Sequence, residues 1–246
     1  MPFSQSTAYG WMMLLGIAAT LVFWSRLARR DDRLLLIYIA GLAGAFFGAK
    51  IVYLAAEGWL YWKAPDRWLI WATGKSILGA LLGGYLAVEI AKKCLGYRAA
   101  TGDWFAMVVP AGVMIGRVGC LLHGCCSGRE CRPSWYAMRD ASGVPRWPAV
   151  PVEIGFNALM ILLFFILRRI HKLPGQHFHL YLIGYGLFRF AHEFMRETPR
   201  MAGIFSGYQA ASLAVAALGI AGFVGRARGH AVSGVNFQVS REPESK

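Results

Sequence analysis

Between Gly116 and Gly128 the sequence reads Gly116-Arg117-Val118-Gly119-Cys120-Leu121-Leu122-His123-Gly124-Cys125-Cys126-Ser127-Gly128, placing an arginine, a histidine and three thiols where an apolar run meets a polar loop. An arginine inside a hydrophobic segment costs roughly 2.5 to 3.5 kcal/mol on insertion scales, so it is expected to face a partner, a cavity or an anion. A second charged stretch carries Arg189, Glu193 and Arg196 inside an otherwise apolar segment. Their i, i+4, i+7 spacing puts all three on one face of a helix. Such a stripe cannot face lipid. Its plain reading is an ion-pair network closing a bundle. With Arg117 expected at the same depth, the stronger reading is a phosphate site, because guanidinium forks suit phosphate oxygens and Glu193 can hold one fork in place.

The cysteine loop has three readings. Cys120, His123, Cys125, Cys126 and Cys131 supply enough ligands for a metal, but their spacing matches no paired Cys-x-x-Cys arrangement, so no metal or other cofactor is expected. A disulfide joining Cys131 to one of the others fits an outward-facing, oxidising compartment. The third reading is a reactive thiolate at Cys125 or Cys126, favoured by the charge of Arg117 and the basicity of His123.

These residues need an apolar scaffold to hold them. The chain has 246 residues, 57% hydrophobic and 16% charged, against about a quarter charged in soluble domains. That composition predicts an all-α integral membrane protein with about seven transmembrane helices. The spans fall at residues 8–24, 33–55, 74–91, 103–123, 152–168, 178–195 and 207–224, making one domain over residues 1–225 with a polar, disordered tail over 226–246. Basic turns such as Ser25 to Arg30 and Lys92-Lys93 read as cytoplasmic, which puts the N-terminus outside and the C-terminus in the cytoplasm. Trp59, Tyr61, Trp62, Trp68 and Trp71 form an outer loop lying at the lipid–water boundary. Gly41, Gly44 and Gly48 have the spacing of a close helix contact. The net charge of +13 is spread over the ends of the apolar segments, which argues against nucleic acid as a partner.

At these residues the chain resembles the prolipoprotein diacylglyceryl transferase family. Gly116-Arg117-Val118-Gly119 matches the family's G-R-x-G signature, with Asp103 at the family's distance before it. Leu182 through Arg189, followed by Glu193-Phe194 and Arg196, matches its last charged helix. Tyr9-Gly10, Gly48 through Tyr53, and Pro148 with Glu153 are weaker echoes. The departures are local: the family's His-Gly-Gly is Leu78-Gly79-Ala80, its Asn-x-x-Asn-Gly-Glu is Cys120 through Cys125, and its His-Pro is Trp147-Pro148.

The resemblance implies a bacterial inner-membrane transferase that moves diacylglycerol from phosphatidylglycerol, or a related anionic phospholipid, to the cysteine of a lipobox-bearing preprotein. It implies catalytic roles for Arg117 and Arg189 and substrate contacts from Tyr9, Asp103, Glu153, Glu193 and Arg196. With the family's histidine replaced by Leu78, His123 is the expected base. Two alternatives stand beside this reading: a paralogue using Cys125 or Cys126 on another acceptor, and a phospholipid-binding protein without catalysis.

Overall fold

The computed structural model describes residues 3–239 except 30, 201, 202 and 204, with the side chains of 3–9, 12, 13, 23, 27, 28 and 229–239 outside the description. The helices are α1 (Phe3–Ala28), α2 (Arg33–Ala56), α3 (Arg67–Thr73), α4 (Ile77–Cys94), α5 (Gly102–His123), α6 (Ala149–Arg169), α7 (His177–His192) and α8 (Gly207–Val239). Strand pairing is confined to a short hairpin, β1 (Met138–Arg139) with β2 (Pro145–Arg146). Among the described residues α2, α5, α6 and residues 207–228 of α8 are long and apolar enough to cross a membrane. The α3–α4 pair, bent by 58°, adds a fifth if it is one span. The protein is an all-α integral membrane protein. Most of the expected tail after Arg226 lies outside the described side chains.

Two helix pairs and a central helix make the frame. The α2–α4 pair is closed by glycine, as the spacing of Gly44 and Gly48 predicts. A Cβ on Gly48 would lie 2.2 Å from the carbonyl oxygen of Gly79, and one on Gly44 would lie 2.5 Å from that of Gly83. The backbones therefore touch, which only small residues allow. α7 pairs with α8, and α5 runs between α1 and α6 while also meeting α7. The core holds Leu78, Ala106, Phe164, Tyr181, Leu182, Tyr185 and Val215, whereas Phe46, Phe47, Ile51, Leu159 and Leu162 are exposed on the side open to lipid.

The two ends of the bundle are built differently. At one end, Arg168 of α6 lies over the ring of Trp104 at 4.6 Å, and Lys92 and Lys93 close the last turn of α4. At the other end, the expected aromatic loop is a 3-10 turn (Gly58–Tyr61) followed by α3, with Trp62 and Trp68 each packed on Trp71. The Lys50 ammonium donates to the carbonyls of Trp71, Ala72 and Gly74, capping α3 where helix carbonyls lack partners.

The polar loop from Gly124 to Pro148 folds back over the end of α7. Arg129 N–H donates to the Met195 carbonyl at 2.9 Å, and Gly128 N–H to that of Trp147 at 3.2 Å. Gly128 is required by this contact, since a Cβ there would stand 2.4 Å from the Trp147 oxygen. Arg146 ties the loop together through Asp140, at 2.6 Å, and Glu197. Asp140 is held below the usual carboxylate range by that guanidinium.

Candidate active site

The site begins with Glu153, fully buried in the second turn of α6. An unpaired buried carboxylate would be very costly. Here Arg117 of α5 reaches Oε2 at 2.9 Å and Arg189 of α7 reaches it at 3.5 Å. Tyr185, one turn before Arg189, donates its hydroxyl to Oε1 at 2.7 Å. Below it, Asn157 donates to the Glu153 carbonyl and accepts from the hydroxyl of Tyr181, both at 2.8 Å. One carboxylate thus gathers α5, α6 and α7.

The second arginine face differs in part from the sequence expectation. Arg189 and Glu193 form the i, i+4 pair at 2.8 Å. Arg196 does not continue the stripe, because α7 ends at His192, tightens into a 3-10 turn over Glu193–Met195, and leaves Arg196 extended at φ −102, ψ 152. Arg196 still returns to the cluster, with Nε 3.9 Å from Glu193.

Three buried guanidinium groups face two buried carboxylates, leaving one positive charge in excess. The excess has unspent donors: Nε of Arg117 and both Nε and Nη1 of Arg196 are buried without a hydrogen-bond partner. A buried donor left so costs roughly 1 to 3 kcal/mol or more. Burial, then the charges of Arg189 and Arg117, push the Arg196 pKa down. An anion at this point would satisfy the donors and balance the charge.

Arg117, Arg189 and Arg196 all border a cavity of about 750 Å³ whose walls are otherwise mainly apolar, including Leu78, Leu81, Phe105 and Val109. It touches α5 from Gly102 to Arg117, a rise of about 22 Å along the helix. One leaflet's hydrocarbon is about 15 Å thick. The space therefore suits a charged head at the arginines with apolar chains running from it.

The other expected site residues divide sharply. Cys120 and Cys126 border the cavity, and the sulfurs of Cys120, Cys125 and Cys126 lie within 4.8 Å of one another. All five cysteines are free thiols, and Cys131 stands outside this group. Hydrogen bonding within the trio pushes the Cys126 thiol down and that of Cys125 up. His123 sits exposed on the last turn of α5 and does not border the cavity. Asp103 is also apart from the arginines. It lies at the opposite end of α5, where its carboxylate accepts from the N–H groups of Gly175 and His177 at 2.7 and 3.3 Å. There it caps α7, as a carboxylate at a helix N-terminus should. Tyr9 falls in α1, and its side chain lies outside the described residues.

Sequence reasoning missed Tyr181, Tyr185, Asn157 and His192. The four-residue spacing of Tyr181, Tyr185 and Arg189 marks one helix face and could have revealed the first two. His192 is buried, with Nε2 accepting from the indole N–H of Trp147 at 3.2 Å.

A family model described as "Prolipoprotein diacylglyceryl transferase" matches residues 2–225. The chain belongs to the prolipoprotein diacylglyceryl transferase family. It is 31% identical over 215 residues to the phosphatidylglycerol–prolipoprotein diacylglyceryl transferase of Pasteurella multocida, covering 81% of this chain and 78% of that one. It is 32% identical over 212 residues to the protein of that name from Pseudoalteromonas atlantica, covering 81% and 74%. A relative from Clostridium perfringens is 32% identical over 210 residues, covering 78% and 80%. Against the family's pattern the clearest departure is Leu78, only 1% exposed and set in the cavity wall.

Proposed function

We propose that this chain is an enzyme of the bacterial cytoplasmic membrane that transfers diacylglycerol from phosphatidylglycerol to the cysteine thiol of a lipobox-bearing preprotein. We read it as seven spans with the N-terminus outside, so that the arginine cluster lies toward the outer face. The observation that carries the proposal is the single excess positive charge of the buried Arg117–Arg189–Arg196 cluster at one end of a lipid-sized apolar cavity. A phosphodiester carries one negative charge, which matches it.

In this reaction the acceptor sulfur attacks the glycerol carbon bonded to the phosphate oxygen, and glycerol phosphate leaves with a second negative charge. Arg117 and Arg189 face the position where that charge develops, and fixed donors in a mainly apolar cavity are most effective there. Glu153 and Tyr185 hold both guanidinium groups in place. The test is incubation of the purified protein with labelled phosphatidylglycerol and a lipobox peptide. Release of glycerol phosphate with matching peptide lipidation is expected.

The apolar Leu78 in the wall favours a second reading, a phospholipid-binding protein that does no chemistry. Bound phosphatidylglycerol with no glycerol phosphate released would decide for it and against the transferase. Release without any peptide lipidation would point instead to a different acceptor.

A further inference from the structure

The thiol loop after α5 has an architecture that apolar packing does not require. Gly124 is left-handed, φ 70, and its N–H and that of Cys125 return to the carbonyls of Leu121 and Cys120. Cys126 is left-handed again, φ 65. Held there, a residue with a Cβ costs on the order of 1 to 3 kcal/mol, and such strain persists where the surroundings enforce it. Two left-handed residues within three fold the chain back onto the last turn of α5. That fold brings the sulfurs of Cys120, Cys125 and Cys126 within 4.8 Å of one another. Cys120 and Cys126 also border the cavity that holds the arginine cluster, and Arg117 Nη1 points at the Cys120 sulfur from 3.9 Å.

We propose that Cys120, Cys125 and Cys126 bind a zinc ion as three thiolates, leaving its fourth position open to the cavity, where the acceptor thiol coordinates and is activated. This rests on the transferase reading above. Three protein ligands with one open position is the ligand set of a catalytic zinc site rather than a structural one. A sulfur-only set disfavours magnesium and calcium, which take oxygen. Tetrahedral bonds of about 2.3 Å place ligand sulfurs roughly 3.8 Å apart, so the trio needs to close by about 1 Å at most. Arg117, with Nη1 3.9 Å from the Cys120 sulfur, stands beside the trio.

Such a site would replace what Leu78 cannot supply. A thiol bound to zinc is deprotonated outright, and its proton leaves to water at the cavity mouth. The sulfur then forms a bond to the glycerol carbon of the phospholipid as the carbon–oxygen bond breaks. That electron pair leaves with glycerol phosphate, now a dianion, against Arg117 and Arg189. The metal stays divalent throughout.

The experiment measures metal content and X-ray absorption of the full-length protein purified with zinc supplied, alongside Cys120→Ser, Cys125→Ser, Cys126→Ser and Arg117→Ala variants. Wild-type protein should hold one zinc with three sulfur neighbours, rising to four when a lipobox peptide is added. Each serine variant should retain at least about fivefold less zinc, and Arg117→Ala should keep it. Chelation of wild-type protein, which avoids any folding defect of the variants, should stop peptide lipidation while phosphatidylglycerol stays bound. Folded wild-type protein without zinc, copper in its place, a disulfide in the trio, or zinc retained in all three serine variants would each overturn the proposal. So would peptide lipidation that survives chelation. If the peptide enters the zinc shell but phosphatidylglycerol is never consumed, the transferase reading fails and the metal site stands. Phosphatidylglycerol consumed without zinc sinks the metal site alone.

Discussion

At the scale of single residues, the fold depends on charges that would be ruinous alone. Glu153 is the clearest case: removing it leaves Arg117 and Arg189 buried with no shared counter-charge. Breaking one side of a buried ion pair typically costs about 3 to 5 kcal/mol. Glu153→Ala should therefore lower the unfolding midpoint in detergent far more than Glu130→Ala, whose carboxylate is 69% exposed. Equal midpoints for the two variants would mean that Glu153 is not the hub. Tyr185→Phe tests the same hub more gently. It removes the 2.7 Å hydrogen bond to Glu153, worth roughly 1.5 to 3 kcal/mol when the acceptor is charged, and should reduce phosphatidylglycerol turnover without preventing folding. Turnover and midpoint both unchanged would remove Tyr185 from the site.

Arg117, Arg189, Glu193 and Arg196 were legible in the sequence because charge inside an apolar run has few explanations. The placement of His123 and Asp103 was not legible. Their types suit catalysis, but their direction depends on which side of α5 faces α1, α6 and α7, and spacing along one helix does not fix that.

At the scale of elements, α2 and α4 meet through Gly48 and Gly79, the glycine beside Leu78. Substituting Gly48 with Ala forces a methyl into the Gly79 backbone, an overpacking that costs about 1 to 3 kcal/mol or more. Gly155 on α6 is the matched control, because a Cβ there meets nothing within 4 Å. Gly48→Ala should lose stability, while Gly155→Ala should hold it or gain a few tenths of a kcal/mol up to about 1. A thermal denaturation series on both variants checks this, and equal midpoints would contradict the close contact. The apolar runs and the small-residue stripe were readable because period and composition are local properties. The breakdown of α7 into a 3-10 turn, which moves Arg196 off the stripe, was not. It is enforced by the 124–148 loop bonding back to Met195 and Arg196 across a long sequence separation.

At the scale of the whole molecule, the cavity links the arginines near the C-terminal end of α5 to the basic groups at its other end. Cys94, exposed at the end of α4, and Cys131, in the loop after α5, lie at opposite ends of the bundle. In intact cells a membrane-impermeant thiol reagent should label Cys131 and spare Cys94 until the membrane is opened. The reverse pattern would invert the proposed orientation.

The central claim is that the buried arginine cluster takes the phosphate of phosphatidylglycerol and stabilises it as it leaves. The most direct measurement is glycerol phosphate release by wild-type protein and by folded Arg117→Ala and Arg189→Ala variants, with labelled phosphatidylglycerol and a lipobox peptide. Each alanine removes charge-assisted hydrogen bonds worth roughly 1.5 to 3 kcal/mol, a loss of about tenfold to more than a hundredfold in rate. The account predicts release by the wild type and a drop of at least about tenfold in each variant. Wild-type rates in both folded variants would contradict it.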